Sequence, residues 1–545
     1  MKVSDAVVDT LVDAGIEFVF GIPGTQSLPL NVRIDEREDI RYVMARHEVA
    51  VPHQAWGYAE TTGKPAATMV IPGPGDMNSM NGLKNALNDC TPIVHIAIET
   101  DPEIRGGDGI HETPPDTYDN VVKENITVES AASAAVELKR AVAIAQTPPK
   151  GPVRVGIPKS YLRQDLPVAT SGTFSRGGVT GLPEDGVERA AEILSEAERP
   201  VVIAGGGIRA ADASDELRDF ATTLGAPVVL TYKGKGTFPE DCDLFAGILS
   251  VGSTESLLNM IADSDAALGV GTDFDAVTTQ QWTADVPSDL VHIALYPDDI
   301  GTAYGPAVGM IADAGTALSR LTTELQERGV TPKDGTKRAQ EVRKLDRALL
   351  KEAASVTAGP LTSAGAELAL DDALPDSTIV AVDAGGFRIW ALYAIQTAAA
   401  GEFIDTGSWA TMGTALPAAI GAKVAHPDRP VVALVGDGGL LMSMQELHTA
   451  AVEDIPVVTV VLNNSDYATI SAEAADSFQV PEGSYEWDGT PVRFADLAES
   501  IGVESFSATA PTDIRSAITD ALELDRPSLI EIPTDPQEPQ AKPLD

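Results

Sequence analysis

The chain has 545 residues, which exceeds what one hydrophobic core accommodates, so its length predicts about three domains. Its 38 basic and 81 acidic side chains give a formal net charge of −43, which excludes nucleic acid and anionic membranes as partners. The acids are scattered along the chain, a pattern typical of halophilic proteins with a solvated acidic surface. No apolar run approaches the ~18 residues that span a bilayer, and the acidic N-terminal segment is unlike a secretory signal. We therefore expect a cytoplasmic protein.

Short β-branched runs alternate with helical patterns through three segments of the chain. This alternation predicts parallel sheets covered by helices, an α/β fold of three doubly wound domains at 1–165, 187–328 and 350–545. Two stretches between them read as linkers. Residues 163–186 are rich in Gly, Ser, Thr and Pro, and 326–347 begin as a turn and become a charged helix.

The first and third segments share an order of elements. In the first, "GPGD" ends a strand and precedes a helix and the strand "TPIVHIAIE". In the third, "GDGG" precedes a helix and "IPVVTVVLNN". From Gly75 to Pro92 is 17 residues, and from Gly438 to Pro456 is 18. The shared order favours a duplicated domain over two unrelated strand–helix–strand units, and two such domains can place one ligand between them.

The middle segment carries a weaker nucleotide pattern. "VVIAGGGIRAA" fits G-x-G-x-x-A through Gly205, Gly207 and Ala210 after a strand, as in dinucleotide-binding domains. Taken alone, it would indicate a flavin- or nicotinamide-dependent oxidoreductase.

In the third segment, polar groups end two successive strands. Gly436 and Asp437 follow "VVALV" and open a helix, and Asn464 ends "IPVVTVVL". Glycines let the backbone approach a ligand and a helix N-terminus favours phosphate, but Asp437 would repel a bare phosphate. Because Mg²⁺ bridges carboxylates and phosphates, the pattern predicts a metal–diphosphate site. A helix N-cap and a strand-ending turn are the structural alternatives.

GDG followed at this spacing by NN resembles the motif of thiamine-diphosphate (ThDP) enzymes. The resemblance implies that Asp437 and Asn464 supply side-chain ligands to Mg²⁺ and that Asp466 supplies a backbone carbonyl. "VFGIPGTQSLPLN" and "ARHEVAVPHQAWGYAE" resemble the family's pyrimidine-binding domain. There Glu48 would hydrogen-bond the pyrimidine ring so that the cofactor can lose its thiazolium proton. Without the other motifs, Glu48 would be an acid in the first turn of a helix.

Further motifs imply the remaining cofactor contacts. Met412, in "GSWATMGTALPAAIGA", matches the large apolar side chain that holds ThDP bent, although a core methionine is the structural alternative. The loop "DAGGFRIW" resembles the family's diphosphate-contacting loop. The implied cofactor-binding residues are Pro23, Gly24, Glu48, Asn78, Gly385, Gly386, Met412, Gly436, Asp437, Gly438, Gly439 and Asn464.

The residues of these motifs are most similar to those of the acetolactate synthase large subunit. They differ from that group at positions expected to lie near the substrate. His111 stands where that group has Gln before Glu112, Phe387 replaces a His, and the segment after the asparagines lacks a specificity Trp. His111 could act as an acid or base, which makes it the second catalytic candidate beside Glu48. Thr25 matches a position near the substrate hydroxyl in benzoylformate decarboxylase. Thr25, His111 and Phe387 are thus the predicted substrate contacts.

The resemblance implies decarboxylation of a 2-oxo acid, with transfer of the resulting enamine to an acceptor, as in acetolactate synthase. The alternative is a simple 2-oxo acid decarboxylase of the benzoylformate decarboxylase type. Two hypotheses belong to other functional classes: a flavin- or nicotinamide-dependent oxidoreductase, and a non-catalytic ThDP-binding regulator. The identity of the 2-oxo acid and any requirement for a regulatory subunit stay open.

The resemblance also bears on FAD and on assembly. Acetolactate synthases hold FAD in the central domain, and "GVGTDFDAVTTQQW" resembles their FAD-contacting loop. Thr272 and Ala276 stand in a loop where basic residues are usual, so FAD is possible without being required. The family implies a homodimer or homotetramer whose active site is shared between subunits.

Overall fold

The computed structural model describes residues 1–107, 109–166, 181–355, 359–481, 483–487 and 489–539. Most of the predicted linker 163–186 lies outside these residues. The described chain forms three six-stranded parallel sheets flanked by helices, which confirms the predicted α/β fold. The domain limits 1–165, 187–328 and 350–545 stay a prediction. Among the helices of the described ranges, none has the length and apolar character needed to cross a membrane.

The N-terminal sheet has the strand order β2-β1-β3-β4-β6-β5. Its strands are β1 (Phe18–Gly21), β2 (Arg41–Met44), β3 (Ala66–Val70), β4 (Ile93–Glu99), β5 (Glu124–Thr127) and β6 (Val153–Pro158). Its helices are α1 (Val3–Asp13), α2 (Leu28–Asp35), α3 (Ala50–Thr62), α4 (Pro74–Asn88) and α5 (Ala134–Gln146). The three strands β3, β4 and β6 are buried along their whole lengths, as expected for parallel strands covered on both faces.

The central sheet has the order β12-β11-β10-β7-β8-β9. Its strands are β7 (Pro200–Ala204), β8 (Val228–Thr231), β9 (Phe245–Leu249), β10 (Ala266–Val270), β11 (Leu290–Ala294) and β12 (Val308–Ile311). Its helices are α6 (Glu184–Glu196), α7 (Gly207–Ala210), α8 (Ser214–Leu224), α9 (Glu255–Ala262) and α10 (Ala314–Glu327). Read from the other edge, this is the order of the dinucleotide-binding fold. Helix α11 (Gly335–Ala354) then leads out of the domain and confirms the predicted charged helix.

The C-terminal sheet has the order β14-β13-β15-β16-β18-β17. Its strands are β13 (Ile379–Val382), β14 (Phe403–Asp405), β15 (Val431–Gly436), β16 (Val458–Asn463), β17 (Glu504–Ser507) and β18 (Ser528–Pro533). Its helices are α12 (Ser363–Asp371), α13 (Phe387–Ala394), α14 (Ala415–Ala425), α15 (Asp437–Ser443), α16 (Gln445–Val452), α17 (Ala468–Phe478), α18 (Phe494–Ser500) and α19 (Pro511–Glu523). Counted from its first strand, the order equals that of the N-terminal sheet, which supports the predicted duplication.

The first and third domains pack directly on each other through α3 and α14. A β-carbon at Gly57 would collide with the Ala418 carbonyl, and one at Gly421 would collide with the carbonyl of Gln54. The two helices therefore approach at backbone distance, which only small residues permit. One hydrophobic cluster continues across the contact and includes Trp56 and Leu416.

Candidate functional site

Asp437 begins α15 directly after β15, and its carboxylate lies beside the end of the neighbouring strand β16. It is 4% exposed and accepts backbone N–H bonds from Gly438 at 2.7 Å, Asn464 at 3.1 Å and Ser465 at 2.6 Å. It is thus the first helical residue and not the N-cap, which is Gly436. No Lys or Arg of the described chain pairs with it, and burial raises its pKa to about 6. A buried acid without a cationic partner fits a metal ligand.

Asn464 follows β16, and its amide oxygen lies in a tight turn. Ser465 has φ 57°, and this turn lets Asn464 Oδ1 accept the Asp466 N–H at 3.1 Å. The Asp466 carboxylate is occupied, since it accepts the Ser471 hydroxyl at 2.6 Å. Within the described ranges, no group of three His, Cys, Asp or Glu side chains forms a metal site. The oxygen set of one carboxylate and one amide fits Mg²⁺, which retains phosphate and water ligands.

The glycine turns at the ends of β13 and β15 pack tightly around this edge. A β-carbon at Gly438 would lie 2.6 Å from Tyr467 Cε1 and 3.2 Å from Met412 Cε, so Met412 lies beside the GDGG turn. A β-carbon at Gly439 would collide with Asp383. Gly385 and Gly386 connect β13 to α13 on the adjacent strand. The diphosphate-binding candidates thus lie at the ends of neighbouring strands, where parallel sheets bind ligands.

Phe387 is enclosed rather than open to a substrate. Its ring lies against Gly385 and Gly436, and the residue is 7% exposed. The ring therefore packs the glycine turns, and the predicted contact of Phe387 with the substrate stays a prediction.

Asp383, at the end of β13, was missed by the sequence reasoning. Its fully buried carboxylate accepts N–H bonds from Gly413 at 2.9 Å and from Thr414 and Ala384 at 3.1 and 2.9 Å. It therefore fixes the turn that follows Met412. The available signal was an acid closing an apolar strand in "TIVAVD", the same signal that pointed to Asp437.

Glu48 lies in the turn between β2 and α3, ahead of the helix. Since α3 begins at Ala50 with Val49 as its N-cap, the first-turn alternative for Glu48 is wrong. Asn78 donates its amide N–H to Glu48 Oε2 at 3.1 Å. A β-carbon at Gly75 would lie 3.3 Å from Glu48 Oε1. The structure thus brings the predicted Glu48 and Asn78 into direct contact.

The turn after β1 lies next to this pair. A β-carbon at Gly24 would collide with the side chain of Ile71, which also touches Gly75. Pro23 and Thr25 are exposed, and the Thr25 hydroxyl donates to Gln26 Oε1 at 3.1 Å. Pro23, Gly24 and Thr25 therefore border the Glu48 edge without bonding to Glu48.

His111 approaches the start of α4, the helix that supplies Asn78. It has φ 65°, and its carbonyl oxygen would lie 2.6 Å from a β-carbon at Gly73, the N-cap of α4. Its Nδ1 is buried with no hydrogen-bond partner in the described structure, so this nitrogen is not committed to another protein group. Glu112 accepts backbone N–H bonds from Gly109, at 3.0 Å, and from Gly106, which lower its pKa and close the loop.

The Glu48 and Asp437 groups are not bonded to each other within the described parts of one chain. Asn81, one turn beyond Asn78 on α4, contacts the C-terminal domain. It donates to Thr411 Oγ1 at 3.0 Å and accepts from Trp409 Nε1 at 2.7 Å. The two groups therefore lie on domains in contact but form separate edges.

The glycine loop of the central domain makes a backbone contact of its own where dinucleotide-binding domains hold a phosphate. The Gly207 N–H, which would face a phosphate, donates instead to the Gly271 carbonyl at 2.9 Å. Asp273 follows this contact, and Asp299 lies near it with a pKa raised to about 6 by burial and by Asp273. The nearby cation Lys233 is 2.6 Å from Asp89. A second cation, Arg209, is likewise paired with Glu60. The neighbouring acids Asp273 and Asp299 would therefore disfavour a dianion beside them.

Three parallel-sheet domains, with an acid on one sheet edge and oxygen donors beside a glycine turn on another, are the plan of a ThDP-dependent enzyme. Three family models of thiamine pyrophosphate enzymes match the chain. The N-terminal TPP binding domain matches residues 1–121, the central domain matches 187–321, and the C-terminal TPP binding domain matches 383–532.

Similar proteins of full length agree with this class. The chain is 31% identical to acetolactate synthase 2, chloroplastic, of Nicotiana tabacum, over 97% of this chain and 82% of that protein. It is 28% identical to a probable acetolactate synthase large subunit of Methanocaldococcus jannaschii, over 99% and 93% of the two chains. The structure resembles the ThDP-dependent 4-hydroxybenzoylformate decarboxylase of Rhodococcus jostii RHA1 with a TM-score of 0.84, at 24% identity and over 99% and 100% of the chains. The chain therefore belongs to the ThDP-dependent enzymes, in the acetolactate synthase group.

Proposed function

We propose that this enzyme decarboxylates a small 2-oxo acid and joins the remaining carbon unit to an acceptor, as the named acetolactate synthases imply. The observation that carries the proposal is the Glu48–Asn78 contact on one domain together with the Asp437–Asn464 edge on another. A nicotinamide enzyme would leave both groups without a role.

The residues of the C-terminal domain would hold the cofactor. Asp437, Asn464 and the backbone carbonyl of Asp466 would bind Mg²⁺, and the GDGG turn would face the diphosphate. Met412, beside Gly438, would support the bend of the cofactor. When bound, ThDP supplies the nucleophilic carbon that attacks the 2-oxo group, and it stabilises the negative charge that remains on the substrate carbon when CO₂ leaves.

The residues of the N-terminal domain would move protons. Glu48 would hydrogen-bond a pyrimidine nitrogen, and Asn78 would hold the Glu48 carboxyl in place. His111 would exchange a proton with the substrate through its unpartnered ring nitrogen, with Thr25 near the substrate. If His111 protonates the product carbon before an acceptor arrives, the enzyme is instead a simple decarboxylase.

We infer that the site is shared between two copies of the chain. Four exposed apolar side chains surround the two edges, namely Met77, Trp409, Leu441 and Met442, at 50%, 42%, 38% and 48% exposure. A second chain that covers them would bring its Glu48 edge to the Asp437 edge. A dimer is the smallest such assembly, and the "large subunit" relatives suggest a regulatory partner.

We also propose that the enzyme acts without FAD, because Asp273 and Asp299 would disfavour a pyrophosphate beside the glycine loop. A cytoplasmic location fits a chain with two free cysteines, Cys90 and Cys242.

A panel of 2-oxo acids tests the function. The protein is assayed at high salt with ThDP and Mg²⁺, in parallel with EDTA, with added FAD and as Glu48→Gln. We expect CO₂ release and a carbon–carbon coupled product, loss with EDTA, no effect of FAD, and loss of turnover but not of ThDP binding in the variant. Free aldehyde as the product would support the decarboxylase, and no CO₂ from any acid would refute the proposal.

A further inference from the structure

The turn that presents Glu48 lacks the backbone bonds of a regular element. It joins β2 to α3 over residues 45–49, beyond the last β2 residue and ahead of the helix. Within the described structure, the N–H groups of Arg46 and His47 have no backbone acceptor. Backbone donors of this kind need an acceptor, because an unpaired donor shielded from water is costly.

Glu446 of the C-terminal domain supplies that acceptor. Its Oε1 accepts the N–H of His47 at 3.0 Å and that of Arg46 at 3.1 Å. Its Oε2 accepts from Gln54 Nε2 at 3.3 Å and from the Thr449 hydroxyl at 2.6 Å. Glu446 is fully buried, so these bonds form away from water.

The helical segment that carries Glu446 connects the Glu48 turn to the Asp437 edge. Helix α15 begins at Asp437, and α16, which carries Glu446, follows it after one residue. Arg46 also reaches α16, where its Nε donates to His448 Nδ1 at 2.8 Å. The same helical segment thus begins at the Asp437 edge and contacts, through Glu446, the turn that carries Glu48.

We propose that Glu446 is a positioning residue that fixes the carboxyl of Glu48 for proton exchange with the cofactor. It acts through the backbone of Arg46 and His47 and does not touch the reacting atoms. The inference rests on the proposed function, in which Glu48 is the proton-exchanging group.

The competing explanation is that Glu446 merely joins two domains. The chain offers a matched control in Glu453, at the end of the same helix. Its Oε1 accepts the Met44 N–H at 3.2 Å, and its Oε2 pairs with Arg41 Nη2 at 3.2 Å. Glu453 therefore bonds the same domain through a backbone N–H, but on β2 instead of the Glu48 turn.

The first measurement needs no cofactor. Amide hydrogen exchange of the apoprotein is followed in peptides that cover residues 44–50. We expect about tenfold faster exchange at Arg46 and His47 in Glu446→Ala, an intermediate rate in Glu446→Gln, which keeps one acceptor, and no change there in Glu453→Ala. If Glu446→Ala does not fold, Glu446→Gln carries the test. Unchanged exchange in the Glu446 variants would overturn the proposal.

The second measurement follows the proton exchange that Glu48 is proposed to promote. Deuterium exchange at the thiazolium carbon of bound ThDP is measured by quenched-flow NMR, alongside ThDP affinity by calorimetry. We expect the exchange rate to fall about ten- to a hundredfold in Glu446→Ala, since small misplacements of a catalytic group have effects of this size. ThDP affinity should change far less, and Glu453→Ala should match the wild type. Equal losses in both variants would make Glu446 only a domain contact.

The two proposals fail differently. If the wild type does not accelerate this exchange over free ThDP, then the role of Glu48 in the proposed function is wrong. If the wild type accelerates it and Glu446→Ala does so equally, only the positioning role of Glu446 is wrong.

Discussion

Buried carboxyl groups of this enzyme differ in how many hydrogen bonds they accept from the protein. Asp383 accepts bonds from three backbone N–H groups and a hydroxyl, and Asp437 accepts three backbone N–H bonds. Both of Glu367's oxygens, on α12, are fully buried and lack a hydrogen-bond partner in the described chain. The first residue holds a turn, the second fits a metal, and the burial of the third is not offset by a hydrogen bond within the described chain.

Glu367 should therefore destabilise the fold increasingly as pH rises. Burial and the nearby Glu538 raise its pKa well above the ordinary value, so the unfolded chain ionises at lower pH than the folded one. The cost is absent in acid, where both states are protonated, and grows above the unfolded-state pKa of about 4.3. Glu367→Met should raise the thermal unfolding midpoint by roughly 2–4 °C at pH 8 and by less at pH 6.

The exposed Glu352, on α11, is the control for this change. Glu352→Met should leave the midpoint unchanged at both pH values. A pH-independent gain in Glu367→Met would mean that packing, and not ionisation, is responsible.

At the scale of elements, the pairing of α3 with α14 positions the site. Glu48 precedes α3 and Met412 precedes α14, so within one chain this helix pair fixes how the Glu48 edge and the Met412 turn, each a part of a shared site, lie relative to each other. The pairing depends on Gly57 and Gly421, whose missing side chains let the backbones touch. The duplicated strand order makes the two domains similar partners across this contact.

Gly421→Ala should separate these helices. The added methyl group would meet the Gln54 carbonyl, which cannot move aside as a side chain does. We expect a loss of about 1–3 kcal/mol in unfolding free energy, measured by urea denaturation. Gly186→Ala on α6 is the control, because its nearest neighbours are side-chain atoms of Pro183 and Met310 at 3.2 and 3.3 Å. A loss of equal size there would remove the helix contact as the cause.

At the scale of the whole molecule, the two edges of the site and the net charge are the features that bear on association of two chains. The Glu48 edge and the Asp437 edge carry exposed apolar side chains, and the chain as a whole has a formal net charge of −43. Association of two such chains buries apolar area against charge repulsion. We therefore expect assembly of this protein to depend on salt.

Mixing two inactive variants tests the shared site. Glu48→Gln and Asp437→Ala chains are each expected to be inactive. A mixed dimer would contain one intact site, so random reassociation should restore about a quarter of wild-type turnover. Activity that stays at zero after verified subunit exchange would place the whole site within one chain.

Activity and assembly should also require salt. Self-repulsion of the acidic surface weakens as the Debye length falls from about 10 Å at 0.1 M to about 3 Å at 1 M. Sedimentation and turnover measured over a KCl series should therefore rise together. A dimer that persists with full turnover at low salt would contradict the halophilic prediction.

Local sequence determined much of this protein. Apolar runs that alternate with helical patterns predicted three parallel sheets, since strand and helix periods are local properties. "GDGG" and "NN" predicted that Asp437 and Asn464 meet, because neighbouring parallel strands end at one edge. The order of motifs in the chain identified the family that the comparisons then showed.

Other features were decided only by the tertiary structure. The bonds from Arg46 and His47 to Glu446 span about 400 residues, so no local pattern announces them. Likewise, Asp383 reaches the Gly413 turn and Phe387 is enclosed by glycines only after three strands have paired. A sequence records which groups a strand end carries. Which groups face each other, and which are left without a partner, depends on how separate domains pack.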